Sequence, residues 1–212
     1  MRNVGLKNGN NNLKEYKMNI EHFMKNIIYN GLDRRYSVKK LIKQFIKRPN
    51  WYNLRSIEPI SRVFGFGRGT PIDRIYIEHF LNNNRHLIRG VICEICTQTL
   101  SFIYDFKSDI KGIYYVLKPN RILLATIAGI SQISRYDMKR WSDYWRFTPL
   151  SIEKAFIEIF GKDNVEVNSY GNVLSSIAFL EGISAEELSK EEIFYKDADY
   201  PIIITVKAKK SW

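Results

Sequence analysis

Four groups of side chains in this chain have residue types and spacings that chemistry uses. Arg135, Tyr136, Trp141, Tyr144, Trp145 and Arg146 bring two cations and four aromatic rings into one short segment. Aromatic faces beside guanidinium groups suit stacking on a sugar or another planar acceptor. The same rings also suit covering a sheet edge, and the sequence leaves the two open. Gly65-Phe66-Gly67-Arg68-Gly69 is glycine-rich, but it lacks the Gly-Lys-Ser/Thr ending and the preceding strand of a phosphate cradle. A flexible loop over a site is expected there. Cys93 and Cys96 form a C-x-x-C pair, yet on a strand positions i and i+3 point to opposite faces. With no second pair to complete a zinc site, they read as buried thiols. His79 and His86 stand seven apart in a chain with three histidines, so packing is expected of them and no metal is expected.

These groups need a scaffold, and the hydrophobic pattern supplies one. Residues 1–17 are polar and Asn-rich and read as a disordered tail. Residues 18–60 read as a basic helical extension, with helices over 19–30 and 37–48 separated by Asn30-Gly31. A loop over 61–71 leads to a helix reaching about His86, with Thr70 as N-cap, Pro71 as first helical residue, and Ile72, Tyr76, His79 and Phe80 near one face. A short apolar strand over 91–96 follows Gly90. A helix after Thr97 runs through Leu100, Ile103 and Tyr104, and another covers 106–116. Lys118-Pro119-Asn120 turns into a buried strand over 121–127. Residues 128–146 form an aromatic, polar loop. A helix over 150–160, capped by Ser151 and ended by Gly161, precedes a strand at 165–167, a helix over 173–180 and a last strand over 202–206. Alternating helices and strands predict an α/β domain over 61–212 with a covered sheet.

Composition narrows the function classes. With 45% hydrophobic and 14% aromatic residues in 212, the chain can bury a core. The longest apolar run, 122–130, is too short to cross a bilayer, and the opening residues carry no apolar signal region. A cytoplasmic location without a transmembrane segment is the expectation. Two cysteines argue against a disulfide scaffold. The net charge is +11, but residues 1–50 hold twelve Lys/Arg against Glu15, Glu21 and Asp33, which is +9 and leaves only +2 for the rest. The basic character belongs to the N-terminal segment, and nucleic acid is not an expected partner. The basic face within 34–48 suits an anionic membrane or nucleic acid, with a solvated linker face as the preferred reading.

Longer segments carry a resemblance. Leu117-Lys118-Pro119 followed by Ile122-Leu123-Leu124-Ala125-Thr126 resembles the L-K-P-G-G and fifth strand of class I S-adenosylmethionine-dependent methyltransferases, with Asn120 and Arg121 replacing the glycines. Segments 165–169 and 202–206 resemble their sixth strand and antiparallel seventh. Segments 69–74, 97–100, 129–137 and 141–148, in that order, resemble a methyltransferase type 11-like bacterial branch often found beside or fused to glycosyltransferases. The resemblance implies a truncated Rossmann-like sheet of about four strands (91–96, 121–127, 202–206, 165–168), the last in sequence antiparallel. It implies S-adenosylmethionine as the cofactor, with Glu94, Gln98, Thr70, Asp73, Arg74 and Tyr76 on the cofactor side. It places Arg135, Tyr136, Trp141, Tyr144, Trp145 and Arg146 on the side of a small-molecule or sugar acceptor.

One departure is large. The family's first strand ends in an acid and a glycine turn that lets the backbone approach the cofactor. Here Glu94 stands at the acid's place, and only Ile95 and Cys96 separate it from Thr97-Gln98, which belong after the fourth strand. The glycine turn and the two strands between are missing. The functional expectation is a methyltransferase-family protein that is degenerate and inactive alone. The alternatives are an active small-molecule or sugar methyltransferase with an altered cofactor site, and a non-catalytic accessory or binding module. A glycosyltransferase and a second copy of the chain, paired through an open sheet edge, are the expected partners.

Overall fold

The structure, a computed structural model, describes residues 56–88 and 99–211, all within one unit of the chain, Pro49–Trp212. The expected tail, the helices over 19–30 and 37–48, the strand over 91–96, and Cys93, Glu94, Cys96 and Gln98 lie outside the described residues. Helices α1 (Ile72–Asn83), α2 (Phe106–Val116), α3 (Arg135–Met138), α4 (Pro149–Phe160), α5 (Val173–Glu181) and α6 (Lys190–Phe194) alternate with strands β1 (Ile122–Ala128), β2 (Val165–Tyr170) and β3 (Ile203–Lys209). The architecture is mixed α/β.

The described strands form one antiparallel sheet in the order β1-β3-β2. The register sets Ala125 and Val167 opposite Val206, and Thr126 and Asn168 opposite Thr205. Because side chains alternate along a strand, the two faces differ in chemistry. One carries Leu123, Ala125, Ile127, Val165, Val167, Ile204, Val206 and Ala208. Ile110 of α2 and Ile152, Ala155, Phe156 and Phe160 of α4 pack onto it as the main core. Burial of a side chain such as Phe156 or Ile204 contributes about 1.5–3 kcal/mol. The opposite face is apolar only at one end, where Ile203 and Tyr170 meet Ile72, Tyr76 and Ile77 of α1 and Ala178 and Phe179 of α5. Its other rows, Thr126–Thr205–Asn168 and Leu124–Lys207–Glu166, are largely polar.

Capping explains the boundaries and corrects some of the expected ones. Thr148, not Ser151, caps α4: its hydroxyl accepts from Ser151 N at 3.2 Å, while Ser151 Oγ accepts from Thr148 N at 3.1 Å. Pro149 at the first helical position fixes the cap one residue earlier. Gly161 ends the helix at φ 85°. Thr70 does not cap α1. The cap position is Pro71, which forms no side-chain cap bond, and α1 stops at Asn83, with a single 3-10 turn over Arg85–Leu87 beyond it. The helix expected through Leu100 and Tyr104 is a 3-10 turn, Thr99–Phe102; Asp105 then starts α2 by accepting from Ser108 N at 3.2 Å. Helix α6 was not expected, although Ser189 and Glu192 form a reciprocal capping box.

The 61–71 loop is not flexible cover but a docked segment. Arg68 is only 3% exposed. Its Nε donates to Glu187 Oε1 at 2.8 Å and its Nη2 to Glu187 Oε2 at 2.5 Å. Glu187 Oε1 also accepts from Ser184 N and Oγ at 3.0 and 2.9 Å. One residue earlier, the Glu186 carboxylate accepts from Thr70 N at 2.9 Å and Thr70 Oγ1 at 2.7 Å. Gly69 is required here, since a Cβ would run into the Glu186 carboxylate and the Ser184 side chain. Ser61 N donates to Glu181 O at 2.9 Å, which secures the loop's start.

Burial pushes the Glu187 carboxyl pKa up, but the Arg68 and Ser184 hydrogen bonds outweigh it and hold the group below the ordinary glutamate range. A carboxylate depressed in the folded state contributes stability that is present above its unfolded pKa and lost as pH falls through the folded one. Replacing Glu187→Gln removes this charge and the bidentate pair with buried Arg68, at an expected loss of about 3 kcal/mol. Urea denaturation at neutral pH checks the loss. The same titration repeated below the ordinary glutamate range should show the gap between native protein and variant shrinking. Lys107→Ala, which removes an exposed ion pair with Glu158, is expected to leave the urea midpoint unchanged.

Candidate functional site

The expected acceptor segment is a loop closed at its base by the sheet. Gly129 N and Ile130 N donate to Ile202 O and Pro201 O at 2.9 and 2.7 Å, and Phe147 N donates to Ala128 O at 3.1 Å. Inside it, Arg146 and Asp143 form a clasp. Arg146 Nη1 and Nη2 donate to Asp143 Oδ1 and Oδ2 at 2.5 and 2.8 Å. The same guanidinium donates to Ser131 O, Gln132 O and Trp145 O at 3.2, 2.6 and 2.8 Å. Asp143 Oδ2 accepts from Ser134 N at 3.1 Å. Every donor direction of a guanidinium fork is thereby used, so Arg146 positions the loop and is not free for an acceptor.

Trp145 is also structural. Its Nε1 donates to Tyr104 O at 3.2 Å, and its ring packs against Tyr104, Phe106 and Phe147. Tyr144 N and Trp145 N both donate to Ser101 O, at 2.8 and 3.2 Å. The remaining four residues stand outward. Tyr136, Trp141 and Tyr144 are 65%, 66% and 49% exposed, and Arg135 is exposed. Ser142 holds φ 72°, a left-handed value that a serine rarely adopts, and it fixes the turn between exposed Trp141 and buried Asp143. Arg140, which sequence reasoning passed over, lies over the Tyr136 ring at 3.5 Å. Its signal was the i, i+4 spacing from Tyr136 across the end of α3.

Four of the six residues expected on the cofactor side are described, and they differ in their surroundings. Tyr76 is fully buried, its hydroxyl donating to Ile193 O at 2.7 Å. Burial raises its pKa, opposed by a hydrogen bond with Ser175. It is a core residue that ties α1 to α6, and no ligand can reach it. Thr70 is held by Glu186. Asp73 Oδ1 accepts from Arg74 N at 2.9 Å in the first turn of α1, while Arg74 is exposed. Glu94 and Gln98 lie outside the described residues. Among the described residues no three His, Cys, Asp or Glu side chains gather as a metal site, and no helix is long and apolar enough to cross a membrane.

No family model and no curated protein matches this chain. The functional reading therefore rests on the residues and their geometry.

A second place was not foreseen. A cleft of about 210 Å³ opens where the end of α1 overhangs the polar sheet face. Phe80, Asn83 and Asn84 line it from the helix, and Glu166, Asn168, Tyr170, Thr205 and Lys207 from the strands. The signal was present in Val165-Glu166-Val167-Asn168, whose period-two alternation sets polar groups on one face.

The loop's two classes of residue separate by stability. Trp141→Ala should stay within about 0.5 kcal/mol of the native protein. Asp143→Ala, which removes the buried carboxylate that clasps the part-buried Arg146 and accepts from Ser134 N, should lose about 2 kcal/mol. Equal losses in urea denaturation would contradict this division.

Proposed function

We propose that the chain is a class I S-adenosylmethionine-dependent methyltransferase-family protein that keeps the acceptor half of a truncated Rossmann-like fold and does not transfer methyl groups alone. The observation that carries the reading is the strand order. The last described strand, β3, enters antiparallel between β1 and β2, an order that agrees with the one the resemblance implies for a seventh strand between the fifth and sixth. The helices α2 and α4 that precede and follow β1 pack on the same sheet face. Asn120 adds support. It holds φ 59°, at the position where the resembling sequences carry glycine, and asparagine is among the few residues that tolerate this region.

Methyl transfer asks little of acid–base groups, because a sulfonium is a good leaving group and alignment supplies most of the effect. Alignment requires a seat for the cofactor's amino-acid and ribose parts. The sequence between Glu94 and Thr97 has no room for the glycine turn that provides one. What the chain retains is the acceptor-side loop, with Arg135, Tyr136, Trp141 and Tyr144 facing outward on a base held by Arg146 and Asp143. The protein then acts as a binding module for a small-molecule or sugar acceptor, alongside a glycosyltransferase or a second copy of itself.

Calorimetric titration of the full chain with S-adenosylhomocysteine tests this. The expected result is no saturable binding below about 1 mM. Binding in the micromolar range would overturn the inactive reading in favour of an enzyme with an altered cofactor site.

A further inference from the structure

The 129–147 loop is turned inside out. Its polar groups point inward. Ser134 is buried and the Asp143 side chain is inaccessible, while the Arg146 guanidinium is used on Asp143 and on the carbonyls of Ser131, Gln132 and Trp145. Its apolar groups point outward. Ile133 is 50% exposed and Met138 40%, beside the exposed rings of Tyr136, Trp141 and Tyr144. Tyr104, 70% exposed, extends this surface, with its ring 5.5 Å from that of Tyr144. A loop that met only water would gain nothing from the exchange, and a continuous exposed apolar patch marks an interaction site.

Charge selects the partner. Every exposed charged residue from 133 to 147 is a cation: Arg135, Lys139 and Arg140. No ion pair among the described residues engages them. The loop's two acids are withdrawn, Asp143 into the clasp and Asp137 into a half-buried position where it accepts from Ser134 Oγ at 2.5 Å. Residues 51–212 hold 21 basic and 19 acidic side chains, a balance of +2, so three unopposed cations in six positions are a local concentration. The Arg140 guanidinium lies over the Tyr136 ring at 3.5 Å, which joins cation and ring in one surface.

We propose that this loop docks on a membrane surface bearing anionic headgroups, with Trp141 at the point of entry. Trp and Tyr rings settle at headgroup level, and Lys and Arg beside them meet the lipid phosphates. Ile133 and Met138 match the acyl boundary and offer no face for stacking, which disfavours single-stranded nucleic acid. A second copy of the chain would set the same cations against one another across a twofold axis. The base of the loop is already held by Arg146 and Asp143, so docking orders little that was free. The proposal uses the outward side chains alone and does not rest on the methyltransferase reading.

Flotation of the full chain with phosphatidylcholine vesicles, with and without about one third phosphatidylserine, tests the docking. The expected result is binding to the anionic vesicles only, weakened by salt, with a blue shift of tryptophan emission that Trp141→Phe removes. Trp141→Ala should weaken binding about tenfold. Arg135→Gln with Lys139→Gln should weaken it about twentyfold, at roughly fivefold per cation, with the thermal midpoint unmoved in each variant. Lys39→Gln with Lys43→Gln, an equal loss of charge in the basic N-terminal segment, should weaken it less than the loop pair does. Absence of flotation, equal binding to neutral vesicles, or a blue shift that persists in Trp141→Phe would each overturn the proposal. So would a larger loss from the Lys39 and Lys43 pair, tighter binding of a single-stranded oligonucleotide, or a dimer that Trp141→Ala abolishes.

Discussion

The sheet closes on β3, which is the last described element of the chain and the middle strand. Among the described residues β1 and β2 each pair with β3 and not with one another, so both of these ladders form only when residues 203–209 are in place. Most of them are buried, with Ile203, Ile204, Thr205, Val206 and Ala208 all inaccessible, while Lys207 and Lys209 reach solvent. An antiparallel central strand drawn from the chain's end makes every ladder contact long-range, which costs loop-closure entropy before packing repays it. The helices cannot form the core without this strand, because Phe156 and Ile152 of α4 need Ile204 and Val206 as their floor.

The same strand divides the molecule chemically. Its even-numbered residues build the hydrophobic core, and its odd-numbered residues build the mixed face that ends in Thr205 and Lys207. The turn into β3 also holds the aromatic loop, since Pro201 O and Ile202 O receive the amides of Ile130 and Gly129. A second anchor is the Arg68–Glu187 pair, which binds the 61–71 segment to the turn before α6. Rigid attachment at both places leaves the outward rings on a fixed base, with little freedom at the points where the loop leaves the sheet.

Much of this order was legible from the residues. The strand read over 121–127 and the helix read over 150–160 located β1 and α4 within a residue at each end. Ladder ends and caps were less legible, because they depend on partners far away in sequence. Thr70 has the residue type of an N-cap, yet Glu186 takes both its donors. The glycine-rich stretch suggested mobility, but Arg68 within it meets a carboxylate more than a hundred positions later. The aromatic loop was found by composition, whereas its division into clasp and outward rings required Asp143, whose role no spacing rule reveals. The cleft residues were readable as alternating polar positions, but only the register aligns Thr126, Thr205 and Asn168 in one row.

Native-state hydrogen exchange tests the central place of β3 most directly. With β3 as the shared middle strand, the amides of Ile204 to Ala208 should exchange only through global unfolding, with an opening free energy equal to that from urea denaturation. The amides of α3 and the Trp141–Ser142 turn should exchange faster by local opening. If the β3 amides instead exchange by a low-energy local opening while those of α4 stay protected, the strand peels from the sheet and the structure does not depend on it as described.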